Sequence, residues 1–323
     1  RAGLEALRAQ LLLPLAANED LLGFVSLGEK RSEQPYSRSD IRLLKSVASQ
    51  TGLALQNAQL SAALAREAAE RERLNRELEI AREVQERLFP QQLPPVPGLD
   101  YCGICRPALG VGGDYYDFFA LPDGELGVAV ADVSGKGISA ALMMATLHAW
   151  LRGEAARADF NLPHVVSTVS RLVFEASASE RYATLFYAQY DPSSRRLAYV
   201  NAGHNPPILL NRRGDPVAPG RLSEGGTAVG LFDRVSYQQG CDTLEEGGVL
   251  VAFTDGITEA MNRAGEEWGE QRLIEVVRRA DSCSAGDIVR HIFAAIETFT
   301  AGTEQYDDMT LVVLRATDGT APG

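Results

Sequence analysis

Four aspartates, Asp114, Asp132, Asp255 and Asp307, each stand at or beside the end of a segment with strand-forming composition, and the last three adjoin segments too apolar to lie on a surface. Carboxylates gathered at one rim of a sheet, without a histidine beside them, suit hard cations such as Mg2+ or Mn2+ better than zinc. Four of them can hold two such ions roughly 3.5 to 4 Å apart, and water between the ions becomes nucleophilic near neutral pH. The chemistry predicted is hydrolysis of a phosphate ester.

Two of the four belong to the stretch Gly112–Gly137, GGDYYDFFALPDGELGVAVADVSGKG. Tyr115, Tyr116, Phe118 and Phe119 are strand formers, Pro122-Asp123-Gly124 is turn chemistry, and Leu126 to Val130 is a second apolar run. A hairpin folded about Pro122 and Asp123 sets Asp114 opposite Asp132, with Cβ atoms roughly 5 Å apart. Two carboxylates that close repel, so they share a proton, hold a cation, or remain solvated turn acids. The surrounding glycines, Gly112, Gly113, Gly135 and Gly137, leave the backbone open to a close approach.

The elements that position these acids come late in the chain. Leu21 to Leu27 reads as a buried strand, and Asp40 as a cap near the start of a helix through Leu43, Leu44, Val47, Ala48, Leu53 and Leu55. One strand and one helix cannot bury a core, so this segment reads as the end of a larger domain. From Leu60 to Leu88 there is no proline or glycine, and opposite charges recur four residues apart, as in Arg66/Glu70, Arg73/Glu77 and Arg82/Glu86. The apolar stripe Leu60, Leu64, Leu74, Leu78, Ala81, Leu88 passes through Glu67, Arg71 and Gln85, which makes a marginal coiled coil. That suits either a plain spacer or a helix that changes partner.

Pro90, Pro94, Pro95 and Pro97 end the helix. Beyond them, helices are expected over 137–156, from a cap at Asn161 to about Ala176, over 270–280 and over 285–300. Strands are expected at 183–190, 196–201, 207–210, 235–238, 249–253 and 309–315. Cys102 and Cys105 form a CxxC in a strand-like run, where an odd spacing points the two thiols to opposite faces and away from zinc or redox chemistry.

Composition narrows the partners. The 323 residues are 45 % hydrophobic and 23 % charged, as in an ordinary globular protein, and the net charge of -12 offers no basic face for nucleic acid. No apolar run approaches the roughly 20 residues that span a bilayer and no signal peptide opens the chain, so a cytoplasmic location is expected.

Six motifs in order, GGDYYD, ADVSGKG with AALMMA, NAGHNPP, FTDGITEA, WGEQRL and DDMT, preceded by AREVQERLFP, resemble the bacterial sporulation and stress-response (SpoIIE/RsbU) branch of the PPM, or type 2C-like, serine/threonine phosphatases. The resemblance covers roughly residues 75 to 316. It implies an α+β fold, a four-layer αββα sandwich, with two Mn2+ or Mg2+ ions at one rim and attack of activated water on phosphorus without a phosphoenzyme. Carried over, Asp132 bridges both ions and the carbonyl of Val133 ligates one. Asp114 holds the same centre directly or through water, and Asp255 and Asp307 complete the other site. Asp308 would point to the opposite face from Asp307.

Ala54, Asn57, Ala58 and Leu60 similarly resemble the end of a GAF sensory domain. The domains then read as 1–59, part of a GAF-like sensor; 60–92, a helical linker; 93–317, the phosphatase; and 318–323, a tail. The implied substrate is a phosphorylated protein of the anti-sigma-factor antagonist type, and the implied assembly a homodimer through linker and GAF-like domain. The alternative is a degenerate phosphatase that binds a partner without turnover; the four retained acids disfavour it.

Two positions depart from relatives. Val133-Ser134 stands where enzymes outside this branch carry a histidine, a candidate leaving-group acid, and Leu109 where many carry a basic residue. A second water or Arg106 is left for leaving-group protonation and phosphate anchoring. Lys136 either touches substrate phosphate or neutralises the acids, and His204 either lines the site or is a satisfied turn histidine. His148 reads as core.

Overall fold

The computed structural model describes residues 9–17, 20–155, 161–177, 181–211, 219–280 and 282–318; the expected tail beyond 318 lies outside them. The chain divides into two compact units, Arg1–Glu77 and Leu78–Gly323. Among the described residues no helix is long and apolar enough to cross a membrane.

The first unit holds an antiparallel pair, β1 (Leu11–Ala17) and β2 (Asp20–Leu27), and most of helix α1 (Arg38–Glu86). Only β2 was legible as a strand. Pro14 interrupts the apolar run of β1, but this strand pairs on one side only, where a missing N–H is tolerated. The cap of α1 is Ser37 rather than Asp40. Ser37 Oγ accepts from Asp40 N–H at 3.2 Å while Asp40 accepts from Ser37 N–H at 2.8 Å, a reciprocal capping box. Gly52 lies against the Ala16 backbone, where a Cβ would collide. The ion pairs Glu72–Arg76 and Arg73–Glu77 run along the exposed helix.

The second unit is built on two sheets. The first has the order β10 (Gly225–Gly226), β7 (Arg196–Ala202), β6 (Ala183–Asp191), β5 (Leu126–Val133), β4 (Tyr115–Ala120), with β11 (Gly240–Thr243) also paired to β7. The second runs β3 (Leu99–Arg106), β13 (Met309–Ala316), β12 (Val249–Phe253), β8 (Ile208–Leu210), β9 (Gly220–Arg221). Each sheet is apolar on both faces, which explains why its strands read as continuous rather than alternating runs.

Three cores follow from strand alternation. Tyr116, Phe118, Val128 and Val130 of the first sheet meet Leu250, Ala252, Val312 and Leu314 of the second. The opposite face of the first sheet, with Tyr115, Ala129 and Ala131, packs on helices α2 (Ile138–Ala155) and α3 (Leu162–Ala176). The outer face of the second, with Val251, Phe253 and Val313, packs on α5 (Gly269–Arg279) and α6 (Ala285–Thr300), after the single turn α4 (Asp255–Thr258). Asn161 caps α3 as expected, accepting from His164 N–H. Cys105 joins the inter-sheet core and Cys102 the outer one, so the two thiols do point apart.

One expected strand does not form. Residues 235–238 bury Tyr237 and send Gln238 N–H to Gly225 O in place of a ladder. The edge is taken instead by short β10, whose parallel pairing places Gly225 directly on the Asn201 carbonyl, leaving no room for a Cβ.

Candidate metal centre

The hairpin of β4 and β5 pairs Tyr115 with Ala131, Tyr116 with Val130 and Phe119 with Gly127. Its turn needs left-handed backbone at Asp123 (φ 60°) and Gly124 (φ 76°). One step beyond Tyr115 and Ala131 come Asp114 and Asp132. Alternation puts both on the face of Tyr116, Phe118, Val128 and Val130, so they close the end of the inter-sheet core.

The second sheet delivers the other acids to this end. Thr254, directly after β12, donates from Oγ1 to Asp114 Oδ2 at 2.7 Å and accepts from Thr310 N–H at 2.9 Å. Asp255 then opens α4. Asp307 precedes β13 and pairs with Lys136 Nζ at 2.9 Å; that ammonium also donates to Tyr306 O at 2.8 Å and lies 4.1 Å over the Tyr306 ring.

Asp308 faces the inter-sheet side, opposite to Asp307, and there it works as a clasp. Its two carboxylate oxygens accept from Ala108 N–H at 2.8 Å and Gly113 N–H at 2.7 Å, closing the loop that leads into Asp114. Its carbonyl lies against Gly256, where a Cβ would collide. Three separated segments are thereby locked together. From the other side Gln85, 6 % exposed, donates to Gly112 O at 2.7 Å and accepts from Gly112 N–H at 3.0 Å.

The electrostatics are those of crowded buried acids. Burial, and then the charge of Asp132, hold the Asp114 carboxyl well above the usual range, with the Thr254 hydroxyl pulling the other way. Burial and then Asp255, Asp307 and Asp308 push Asp132 up to about 7. Asp255 is raised by burial and by Asp307, and lowered by Lys136. Lys136 is itself held up, since the bond to Asp307 and its charge outweigh burial.

The acids adjoin in pairs rather than closing a cage: among the described residues, no three His, Cys, Asp or Glu side chains form a ready ligand cluster. Their chemistry fits a hard divalent cation all the same. The donors are all oxygen, and each raised proton affinity is an uncompensated negative charge that a cation would reverse. The Val133 carbonyl faces Gly113, which a Cβ could not occupy without crowding it.

The remaining sequence candidates sit further out. His204 is buried; its Nδ1 is 2.8 Å from Thr184 Oγ1, its backbone N–H donates to Asn201 Oδ1 at 2.7 Å, and burial lowers the pKa of the ring to about 4, so the ring is neutral at physiological pH. Arg106 is held by Glu297 at 2.7 Å, 3.9 Å over the Phe293 ring. His148 packs edge-on against Tyr115. The sequence reading missed Thr254 and Gln85 as positioning residues. A threonine before Asp-Gly at a buried strand end, and a glutamine inside an apolar helix stripe, were the available signals.

The Stage II sporulation protein E (SpoIIE) family matches residues 122–317. Phosphoserine phosphatase RsbU of Bacillus subtilis is 32 % identical over 243 residues, covering 74 % of this chain and 70 % of RsbU. Protein IcfG of Synechocystis is 30 % identical over 264 residues, covering 74 % of this chain but only 41 % of IcfG. Among solved structures, the SiaA-PP2C domain of Pseudomonas aeruginosa superposes with TM-score 0.67 at 20 % identity, over 77 % of this chain and 99 % of that one, a likeness of fold. The RsbU and RsbW domains of Rv1364c from Mycobacterium tuberculosis give 0.58 at 26 % identity, over 72 % and 63 %. With the motifs, the paired sheets and the acid-lined rim in agreement, the chain belongs to the SpoIIE family and carries its PP2C-type phosphatase domain.

Proposed function

We propose that this chain is a metal-dependent protein phosphatase acting on phosphoserine or phosphothreonine of a signalling protein, and that its layers form the αββα sandwich of that class. The observation that carries the reading is the burial of Asp114 against Asp132, beside Asp255 and Asp307, in a chain of this family. Asp132, Asp114, Asp255, Asp307 and the Val133 carbonyl would hold two Mn2+ or Mg2+ ions. Such ions supply Lewis acidity toward a phosphoryl oxygen and a nucleophilic water near neutral pH.

The protein's own groups set the stage for that chemistry. The Thr254 hydroxyl fixes the Asp114 carboxylate, and the mutual bonds of Ser134 and Tyr182 hold the backbone after Asp132. Lys136 keeps a positive charge beside Asp307, where it meets an incoming phosphate.

The anti-sigma-factor antagonist remains the substrate class that the family implies, with residues 1–59 read as part of a GAF-like sensor in a dimer and 60–92 as the linker helix that carries its state. Deleting residues 1–60 is expected to change the Mn2+ concentration needed for activity; an unchanged requirement removes the coupling. The catalytic reading is tested on an aryl phosphate. Hydrolysis is expected with Mn2+, and none with chelator or with Asp132→Asn. Activity indifferent to both would end the metal mechanism, and inactivity under every condition would favour a partner-binding module.

A further inference from the structure

Beside the acid rim, and sharing Asp307 with it, lies a cleft of about 480 Å3 between α6, the turn after Asp255 and the loop that follows α6. Apart from Asp307, none of the residues that line it has a part in the proposed hydrolysis. Its floor is apolar and buried: Phe293, Ile296 and Met309 are 2 %, 2 % and 7 % exposed and belong to the outer core. Met261 lines it and is 45 % exposed, an apolar side chain left open to water.

The rim has the opposite character. Glu259, Glu297 and Glu304 line it together with Asp307, and Arg106 is already paired with Glu297. The loop carrying Glu304 is pinned, since Gln305 Nε2 donates to both Arg106 O and Asp307 O at 2.7 and 2.8 Å. Tyr306, 83 % exposed, stands where the cleft meets the acids, braced by Lys136. The result is a preformed apolar trough with an acidic edge, opening onto the place where phosphate would be cleaved.

We propose that this cleft is a specificity pocket for the chain of the phosphoprotein substrate itself: it takes an aliphatic side chain within three residues of the phosphoserine, with a Lys or Arg next to it. The inference rests on the phosphatase reading above. The trough shares Asp307 with the acids, and an extended chain advances about 3.3 Å per residue, so three residues reach about 10 Å into it from there. The volume admits an aliphatic side chain with part of its neighbour, the floor rewards apolar burial, and the edge repels acidic flanks.

The test uses the full chain with Mn2+ and short phosphoserine peptides on an alanine background. One Leu is moved through the three positions on either side, and the best peptide then receives Lys or Glu beside it. At one register Leu is expected to raise kcat/KM about tenfold over Ala, and Lys to exceed Glu by about threefold at low salt, a difference that shrinks as salt rises. Met261→Ser should reduce the Leu-to-Ala ratio, and Glu304→Gln the Lys-to-Glu ratio. Equal rates for all peptides, with aryl phosphate still hydrolysed, would overturn the pocket and leave the phosphatase standing. Loss of aryl phosphate hydrolysis as well would overturn both.

Discussion

Asp114 and Asp117 lie three residues apart, both are buried, and their surroundings could hardly differ more. Asp117 points to the helix side of its sheet, where Arg152 grips it with two bonds of 2.7 and 2.9 Å, Tyr115 donates its hydroxyl at 2.9 Å and Phe118 its N–H at 2.8 Å. Asp114 points to the inter-sheet side, where it meets the hydroxyl of Thr254 and the charges of other acids. Strand alternation alone separates the two. A buried carboxylate whose charge is answered within the fold is structural; one whose charge is opposed by its neighbours is held for something that binds there.

The contrast is sharpest in Asp114→Asn. Phosphate ester hydrolysis should fall by about a thousandfold or more, while the metal-free protein, relieved of repulsion, melts at the same temperature or higher. A lower melting point would place Asp114 with Asp117. The reverse pattern is expected for Arg152→Ala, which strands the Asp117 charge and should lower unfolding stability by about 3 kcal/mol in a urea titration. A stability loss below about 1 kcal/mol would show that Tyr115 and the backbone suffice.

Asp308→Asn tests the clasp between them. It keeps one acceptor and loses the other, and a loosened Ala108–Gly113 loop should weaken Mn2+ binding about tenfold in a direct titration, with a smaller change in kcat at saturating metal. Unchanged affinity would make Asp308 a bystander.

The smallest effect is a slope. Asp132 has its affinity for protons raised on folding, from an ordinary carboxylate to about 7, so the folded state binds more protons between pH 4 and 7 and stability of the metal-free protein falls as pH rises through that window. His204, lowered to about 4, acts oppositely, because the unfolded chain takes up its proton first and stability rises with pH up to about 6.5. Asp132→Asn should therefore tilt the stability profile upward with pH relative to the parent, and His204→Gln tilt it downward; parallel profiles would remove both assignments.

Much of this was legible from the residues. The hairpin, its turn and the meeting of Asp114 with Asp132 follow from alternation and the distance to Pro122, and the divergence of Cys102 and Cys105 from spacing alone. What could not be read was long-range. Asp308 was passed over because parity turned it away from Asp307, yet that same parity brings it to the loop before Asp114, 195 residues distant from Gly113. Gln85 looked like a flaw in a coiled-coil stripe until Gly112 supplied its partners. Strands of two residues, such as β10, leave no pattern, and β1 hid behind its proline.

Gly225 and Gly256 carry one more implication. Both sit with their α-carbons pressed on a carbonyl, of Asn201 and Asp308 respectively, so even alanine has nowhere to go. In a saturation mutagenesis library scored for activity, these two positions would be as intolerant as the acids themselves. Intolerance would thus have two origins that look alike on a heat map, and only the steric kind would also deplete the soluble fraction.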